Sequence, residues 1–476
     1  MKKANNHPTV MVFFGAAGDL AQKKLIPSLF NLYAKNALPE KFFVVGAAWD
    51  DYDDNSYRKF VAETITKNTA HGGYHKVIED FAGNFVYVRG DFNDLKIYQE
   101  VKECIFNYNK KIGQCSNILY YLAVPPSLYS LMFERLAQSE SMRICDQEEA
   151  WAHLLVEKPF GRDIDTAREL EEKLRVSVPD EQVYRIDHYL AKNAIENILA
   201  LRFANPLLRN AWNAECVESI EINLSETDDL SNRGSFYDGV GALLDVGQNH
   251  LLQMLALLLM NEVDVSNTDS VREVRAKVLE SLYPDLEALM IRGQYEGYRQ
   301  TKGVASDSKT ETFFQVSLKS NLPLWEGTRF VLRSGKALGE AVNEAVVNFR
   351  PVDLSSHGLT SSVEKSFNSL RLKLGPDQLL ELVMFVRKAG FDFELEPRKY
   401  QLVADHEPDG IYSPDAYELV LLDCINGDQT RFVSAREVEA AWKVFMPIMK
   451  HFPKLPLLSY EPGSNGPKLF EVSNNL

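Results

Sequence analysis

The sequence has few cysteines and no long apolar run. The five cysteines are an odd number without CxxC spacing: Cys104, Cys115, Cys145, Cys216 and Cys424. This pattern predicts neither a disulfide framework nor a zinc or other metal site, and it favours a reducing, cytoplasmic location. The richest apolar run, residues 251–260, is far shorter than the roughly 20 residues that span a bilayer. We therefore expect a buried helix there and no membrane partner.

Positive charge is also scarce. The chain carries 52 Lys and Arg residues against 67 Asp and Glu residues, a formal net charge of -15. This balance opposes general attraction to nucleic acid or to an anionic membrane surface, since both carry dense negative charge. A small anionic ligand would need a local cluster of cations.

The 476 residues favour two domains, because one hydrophobic core usually stops growing at a shorter length. In the first part, short β-rich runs alternate with helical patterns, which predicts a doubly wound parallel sheet, a Rossmann domain over residues 1–180. The runs are 9–14, 42–48, 84–92, 117–126 and 153–161. Beyond Pro179, runs with period-two alternation predict a larger α+β domain on a mostly antiparallel sheet, residues 181–476. Those runs are 216–226, 312–320, 328–336 and 368–377.

A glycine turn follows the first predicted strand and precedes a helical pattern. Such a turn lets the backbone approach a pyrophosphate, and the helix N-terminus offers free N–H groups. The predicted cofactor-binding residues on this turn are Gly15, Ala16, Ala17, Gly18, Asp19 and Leu20. A glycine turn without a ligand is the alternative that this spacing leaves open.

The end of the second predicted strand bears on which nicotinamide cofactor is bound. Trp49, Asp50 and Asp51 stand there, and the next cation along the chain is Arg58. A carboxylate can accept a hydrogen bond from a ribose 2′-OH but repels a 2′-phosphate. The corner therefore leans toward NAD, with a solvated acidic loop as the alternative.

Several blocks, in this order, resemble the glucose-6-phosphate dehydrogenase family: "GAAGDLAQKKL", "EKPFG", "RIDHYLAK", "DVGQNH" and "RSGKAL". The resemblance implies oxidation of C1 of glucose 6-phosphate to 6-phosphoglucono-1,5-lactone with NAD or NADP, the first oxidative step of the pentose phosphate pathway. It also implies assembly as a homodimer or homotetramer.

By this resemblance His250 takes the place of the general base, and Asp187 that of the carboxylate that steadies it. An imidazole suits the task because its pKa lies near neutral pH and a neighbouring carboxylate stabilises its charged form. Without the resemblance, a histidine on so apolar a helix would be interpreted as a core residue.

The remaining site residues are assigned to the substrate and the strand edge. We expect His188, Tyr189, Lys192 and Lys336 to hold the phosphate, and positions 188 and 192 to share a face if the segment continues into a helix. We expect Glu226 and Asp245 to accept from sugar hydroxyls. Lys158 and Pro159 follow a predicted strand. We expect Lys158 to reach the sugar or the nicotinamide, and Pro159 to fix the turn between cofactor and substrate.

Two departures from the family pattern affect these expectations. Trp49 stands where members that use NADP carry an arginine, so the sequence favours NAD or dual use. The segment after "RSGKAL" lacks the second cation that is often found there. A dehydrogenase of another sugar phosphate or free glucose stays an alternative, opposed by the intact "RIDHYLAK" and Lys336. A catalytically silent dinucleotide-binding regulator is another, opposed by His250 and Asp187.

Overall fold

The structure is a computed structural model that describes residues 6–68, 75–143, 150–231, 233–354, 356, 359–361, 367–375, 379–403 and 412–468. The chain forms two compact units. The first unit comprises Met1–Lys192, Asp264–Arg272 and Ser413–Glu439, and the second comprises Asn193–Val263, Glu273–Tyr412 and Ala440–Leu476. The domain limits 1–180 and 181–476 stay a prediction.

The first unit contains a sheet of seven strands. Six of them run parallel in the order β3-β2-β1-β4-β5-β6, which is the doubly wound order of dinucleotide-binding domains. They are β1 (Thr9–Phe14), β2 (Phe42–Ala48), β3 (Phe85–Arg89), β4 (Asn117–Leu122), β5 (Ala152–Val156) and β6 (Val183–Ile186). The seventh strand, Phe432–Val433, pairs antiparallel with β6. The strands β3, β4 and β5 end before the predicted runs do, because the residues that follow them form loops at the carboxyl edge of the sheet.

Apolar side chains cover both faces of this sheet. Met11 and Phe13 of β1 belong to one buried cluster, whereas Val10, Val12 and Phe14 belong to another. Successive side chains of a strand point to opposite faces, so a strand buried on both faces is apolar throughout. The helices of this unit are α1 (Ile26–Ala34), α2 (Asp54–Asn68), α3 (His75–Ala82), α4 (Leu95–Ile112), α5 (Tyr129–Gln138), α6 (Ile164–Ser177) and, near the C-terminus, Ala416–Asn426. A π-helical turn, Ala21–Leu25, leads into α1.

The second unit contains a sheet of eleven strands, most of them antiparallel. Its strands are β7 (Val217–Ser225), β8 (Leu282–Pro284), β9 (Ile291–Tyr295), β10 (Phe313–Ser320), β11 (Arg329–Gly335), β12 (Val342–Phe349), β13 (Thr360–Ser361), β14 (Ser369–Gly375), β15 (Leu379–Arg387), β16 (Glu394–Val403) and, after the Phe432–Val433 strand β17, β18 (Leu457–Tyr460). The order is β13-β16-β15-β14-β12-β7-β11-β10-β9-β18, with β8 paired to β10. Among the described strands of this sheet, only β7–β11, β13–β16 and β9–β18 pair in parallel. The predicted fold class is confirmed.

The helices of the second unit include the predicted apolar one. They are α7 (Asn193–Ala204), α8 (Pro206–Arg209), α9 (Gly234–Tyr237) and α10 (Leu252–Leu259). Every residue of α10 is buried, and a π-helical stretch, Leu243–Leu251, precedes it. Two further helices, α11 (Thr268–Ser281) and, after α12 (Ala416–Asn426), α13 (Ala435–His451), contain residues of both units. Among the described helices, none is both long and apolar enough to cross a bilayer.

The cysteines depart from the sequence expectation at one position. Cys104, Cys216 and Cys424 are free, whereas Cys115 is disulfide-bonded. Cys145 lies outside the described residues. Spacing along the chain does not tell which sulfur atoms the fold brings together, so this bond was not predicted.

Candidate active-site residues in each unit

The glycine turn after β1 has the geometry that a dinucleotide needs. Gly15 has a φ of 85°, and a Cβ at this position would lie 2.3 Å from the carbonyl oxygen of Ala123. Only glycine fits there, since any larger side chain would clash and be strained. The N–H of Gly18 donates to the carbonyl of Gly15 at 3.0 Å, and the helical turn begins shortly afterwards. The backbone from Gly15 to Leu20 therefore fits a pyrophosphate cradle.

The acidic corner after β2 is more exposed and less negative than the sequence indicates. Trp49 is 78% exposed, and Asp50 receives a hydrogen bond on its carbonyl from the Tyr87 hydroxyl at 3.1 Å. Arg89, the last residue of β3, pairs with Asp51 at 2.6 Å. Sequence order pointed to Arg58 as the next cation. Arg89 is the cation that partners the corner, because β2 and β3 are parallel neighbours.

Lys158 and Pro159 follow β5 at the carboxyl edge of the parallel sheet, and the peptide bond between them is cis. The preceding residue, Glu157, accepts a hydrogen bond from the Tyr121 hydroxyl at 2.5 Å. Burial raises the pKa of Glu157, and the Tyr121 and Tyr417 hydroxyls and the Lys158 ammonium oppose the shift. Sequence reasoning missed Glu157, although it belongs to the "EKPFG" block.

The residues of the "RIDHYLAK" segment differ in their burial and contacts. The buried guanidinium of Arg185 donates to both carboxylate oxygens of Glu171, at 2.7 and 2.6 Å, and to Asp180 at 2.9 Å. The ion pair between Arg185 and Glu171 thus connects β6 to α6. Asp187 is also buried, and one of its carboxylate oxygens accepts from the Tyr189 N–H at 3.0 Å.

Positions 188 and 192 do not share a helical face, because the condition for it, a helix over this segment, is not met. The segment forms turns, with the N–H of Leu190 bonded to Asp187 O and that of Lys192 bonded to Tyr189 O, each at 3.0 Å. Helix α7 begins only at Asn193. The turn instead lays the Lys192 ammonium over the Tyr189 ring, 3.5 Å from its centroid. His188 is half-buried, with its ring centroid 5.0 Å from that of Tyr189.

In the second unit, the structure brings together three residues that the sequence places far apart. Glu226 follows β7 and Lys336 follows β11, and these parallel neighbours end in register at Ser225 and Gly335. The buried Lys336 ammonium lies 2.5 Å from Glu226 Oε2 and 3.6 Å from Asp245 Oδ2. The cluster places one cation between two carboxylates.

His250 is buried on the same π-helical stretch as Asp245, Leu243–Leu251. Because π-helical hydrogen bonds link positions five apart, the two residues lie about one turn from each other. Sequence reasoning also missed Tyr237. Its hydroxyl is buried without a hydrogen-bond partner among the described residues, and its ring centroid lies 5.9 Å from the Lys336 ammonium. Burial, and then the Asp245 carboxylate, raise the pKa of Tyr237 well above its usual value.

The sequence matches two family models over nearly its whole length. One is "Glucose-6-phosphate dehydrogenase, NAD binding domain", over residues 12–197, and the other is "Glucose-6-phosphate dehydrogenase, C-terminal domain", over residues 199–473. The first model supports a nicotinamide dinucleotide as the cofactor, as the glycine turn predicts.

Curated relatives and solved structures agree with these matches. The chain is 32% identical to glucose-6-phosphate 1-dehydrogenase of Chlamydia pneumoniae, covering 97% of this chain and 93% of that one. It is 35% identical to the enzyme of Aggregatibacter actinomycetemcomitans, covering 96% and 94%. A solved glucose-6-phosphate dehydrogenase in complex with its substrate aligns at a TM-score of 0.89 and 30% identity, covering 100% and 99% of the chains. The enzyme from Mycobacterium avium aligns at 0.83 and 30%, covering 98% and 97%. The family predicted from the motifs is confirmed: the chain belongs to the glucose-6-phosphate dehydrogenase family.

Proposed function

We propose that the chain oxidises C1 of D-glucose 6-phosphate to 6-phosphoglucono-1,5-lactone, with NAD or NADP as the oxidant. Family membership supports the reaction. The Glu226–Lys336–Asp245 cluster is the main structural support for a substrate site in this chain. A buried ammonium between two carboxylates provides a donor for a phosphate or sugar oxygen and acceptors for sugar hydroxyls. The bound nicotinamide supplies the chemistry of hydride acceptance.

We propose that His250 accepts the proton of the C1 hydroxyl. Oxidation at C1 requires a group that takes the hydroxyl proton, and a neutral imidazole can do so near neutral pH. Asp187 is proposed to stabilise the imidazolium that results. Its burial supports this role, since a carboxylate in a dry environment interacts more strongly with a positive charge.

We assign the phosphate to Lys192, His188, Tyr189 and Lys336. The turn that precedes α7 presents the first three as neighbours, with the Lys192 ammonium already over the Tyr189 ring. A dianion would attract this ammonium more strongly than the ring does, because the interaction between full charges exceeds a cation–π contact. Glu226 and Asp245 then accept from the sugar hydroxyls, and such directional bonds discriminate between epimers.

For the cofactor, we propose NAD or dual use. The residues from Gly15 to Leu20 would hold the pyrophosphate, with Lys158 and Pro159 at the nicotinamide side of the same sheet edge. The exposed Trp49 side chain offers a stacking surface beside the acidic corner. Asp50 and Asp51 favour a 2′-OH, whereas Arg89 can release Asp51 and pair with a 2′-phosphate. This cation is the reason to include dual use.

We also propose a homodimer or homotetramer in the cytoplasm. The strands β15 and β16 and their connection expose several large apolar side chains, which supports contact with a second copy: Met384, Phe391, Phe393, Tyr400 and Leu402. The three free cysteines support a reducing location, whereas the disulfide bond of Cys115 opposes it. Light scattering of the purified chain measures the assembly, and cell fractionation measures the location.

The reaction itself is tested with glucose 6-phosphate that carries deuterium at C1. Transfer of that deuterium to the nicotinamide supports the proposal, and unphosphorylated glucose serves as the control substrate. Oxidation of glucose at an equal kcat/KM would contradict the phosphate assignment.

A further inference from the structure

A short connection in the second unit leads into the helix that bears two of the residues proposed above. Two glycines with positive φ, Gly239 at 88° and Gly241 at 72°, lead into the π-helical stretch that bears Asp245 and His250. Such backbone has little conformational preference of its own, since glycine loses more freedom on folding than any other residue. Something else must therefore hold the start of this helix in place.

Residues just before β10 provide that support. The Gly239 N–H donates to Thr310 Oγ1 at 2.8 Å, and the Ala242 N–H donates to the Glu311 carbonyl at 3.0 Å. The Leu243 N–H donates to Glu311 Oε1 at 3.1 Å. The first N–H groups of a helix lack partners within the helix, so Glu311 serves as a cap supplied from a distant part of the chain.

The fit between Glu311 and the turn is close. A Cβ on Gly241 would lie 2.1 Å from Glu311 Oε1, so only glycine leaves room for the carboxylate. Glu311 and the double-glycine turn therefore complement each other in shape as well as in hydrogen bonding.

The same segment also fixes Lys336. The Lys336 N–H donates to the carbonyl of Thr312 at 2.9 Å. The Tyr460 hydroxyl lies 3.1 Å from that carbonyl and 2.8 Å from the carbonyl of Lys336. Glu311 and Thr312 are adjacent, so one short segment sets the backbone positions of both sides of the Lys336–Asp245 pair.

The charges that face Glu311 come from several elements. Burial raises the pKa of Glu311 to about 7. The backbone N–H groups of Glu311 and Leu243 and then the guanidinium of Arg292 on β9 oppose the shift. Tyr237 on α9 is close enough for the Glu311 charge to raise its pKa in turn. Asp238, which accepts from Thr310 Oγ1 at 2.9 Å, lies on the adjoining turn. The carboxyl thus changes charge near neutral pH, while its hydrogen bond to Leu243 requires only an oxygen acceptor.

We infer that Glu311 is a positioning residue for the active site: it holds the start of the helix that bears Asp245 and His250 in register with Lys336. The effect on catalysis rests on the proposed function. The claim that Glu311 holds the start of the helix does not. The inference adds "TETF", residues 310–313, to the functional segments of the chain.

The test compares Glu311→Ala, Glu311→Asp and Glu311→Gln with a matched control, Glu296→Ala, which removes an exposed carboxylate from the same unit. We expect Glu311→Ala to lower kcat/KM for glucose 6-phosphate by about 10- to 100-fold, because small displacements of catalytic groups have effects of this size. The shorter side chain in Glu311→Asp moves the oxygen away from Leu243. Its kcat/KM should therefore lie between that of Glu311→Ala and that of the native chain. Glu311→Gln keeps the acceptor and should restore kcat/KM to within about threefold at pH 7.

Hydrogen exchange of the segment 238–251 is measured on the same proteins. We expect about tenfold or faster exchange there in Glu311→Ala and no change in Glu311→Gln or Glu296→Ala. Unchanged exchange and kcat/KM in Glu311→Ala would overturn the inference, as would equal losses in Glu311→Gln and Glu311→Ala. If the alanine variant does not fold, the aspartate variant decides by the same criteria. If the native chain does not oxidise glucose 6-phosphate, the proposed function fails, and the exchange data still decide whether Glu311 holds the helix.

Discussion

Replacing Glu311 with glutamine should change how the stability of the protein depends on pH. Burial raises the pKa of this carboxyl from 4.5 to about 7, so the folded protein holds the proton more tightly than the unfolded chain does. The stabilising contribution of the protonated form is therefore complete below about pH 4.5 and is lost as pH rises to about 7. Because glutamine does not titrate, the Glu311→Gln variant does not lose stability in this way as pH rises.

The size of the effect follows from the shift. Each pKa unit corresponds to about 1.4 kcal/mol, so the full shift corresponds to about 3 kcal/mol. Glu311 is only partly buried by its accessible surface, and solvent reduces the effect, so we expect about 2 kcal/mol. The free energy of unfolding of Glu311→Gln, relative to the native chain, should rise by this amount between about pH 5 and pH 8.

Urea unfolding at a series of pH values measures this difference. Protein concentration is kept fixed, because subunit association also changes apparent stability. Glu296→Ala, at an exposed position, controls for the loss of one negative charge. A difference between Glu311→Gln and the native chain that stays constant with pH, or that falls as pH rises, would refute the reasoning.

Two further predictions concern the base and the cofactor. His250→Asn should lower kcat by about 100- to 10,000-fold with little change in KM, and steady-state kinetics that show normal turnover would rule out the base assignment. Trp49→Arg combined with Asp50→Asn should raise kcat/KM for NADP relative to NAD, whereas Arg89→Ala should lower it, because these changes add and remove cations near a 2′-phosphate. Parallel assays with the two cofactors measure this ratio, and an unchanged ratio in both variants would show that the corner does not select the cofactor.

The sequence predicts the fold well where the signal is local. The apolar run of β1 and the turn at Gly15 follow from residues that are adjacent in the chain. The same holds for the period-two alternation of β7. Each of these elements depends on its own backbone geometry and on burial, and the structure has them as expected.

Prediction failed where the fold joins distant segments. Arg89 reaches Asp51 only because β3 lies beside β2, and Glu311 caps a helix that begins 68 residues earlier in the chain. The residues 413–439 join the first unit, which no period or composition of the chain indicates. Topology decides these contacts, and a single sequence does not specify it.

The site residues fall between these two cases. The "RSGKAL" block led to Lys336, and the need for acceptors of sugar hydroxyls led to Glu226 and Asp245. The structure shows the three residues as one cluster. The sequence left open whether a helix covers 188–192, and the structure has turn bonds at Leu190 and Lys192 instead. Motifs and chemistry therefore predicted which residues belong to the site, but not the backbone conformation that positions them.

The most direct test of the proposed reaction follows the hydrogen on C1. The native chain is incubated with glucose 6-phosphate that carries deuterium at C1, separately with NAD and with NADP, and the reduced nicotinamide is examined by mass spectrometry. The proposed reaction predicts one deuterium in each reduced nicotinamide formed, with 6-phosphoglucono-1,5-lactone or its hydrolysis product in equal amount. Reduced nicotinamide without deuterium, or no turnover of glucose 6-phosphate with either cofactor, would contradict it.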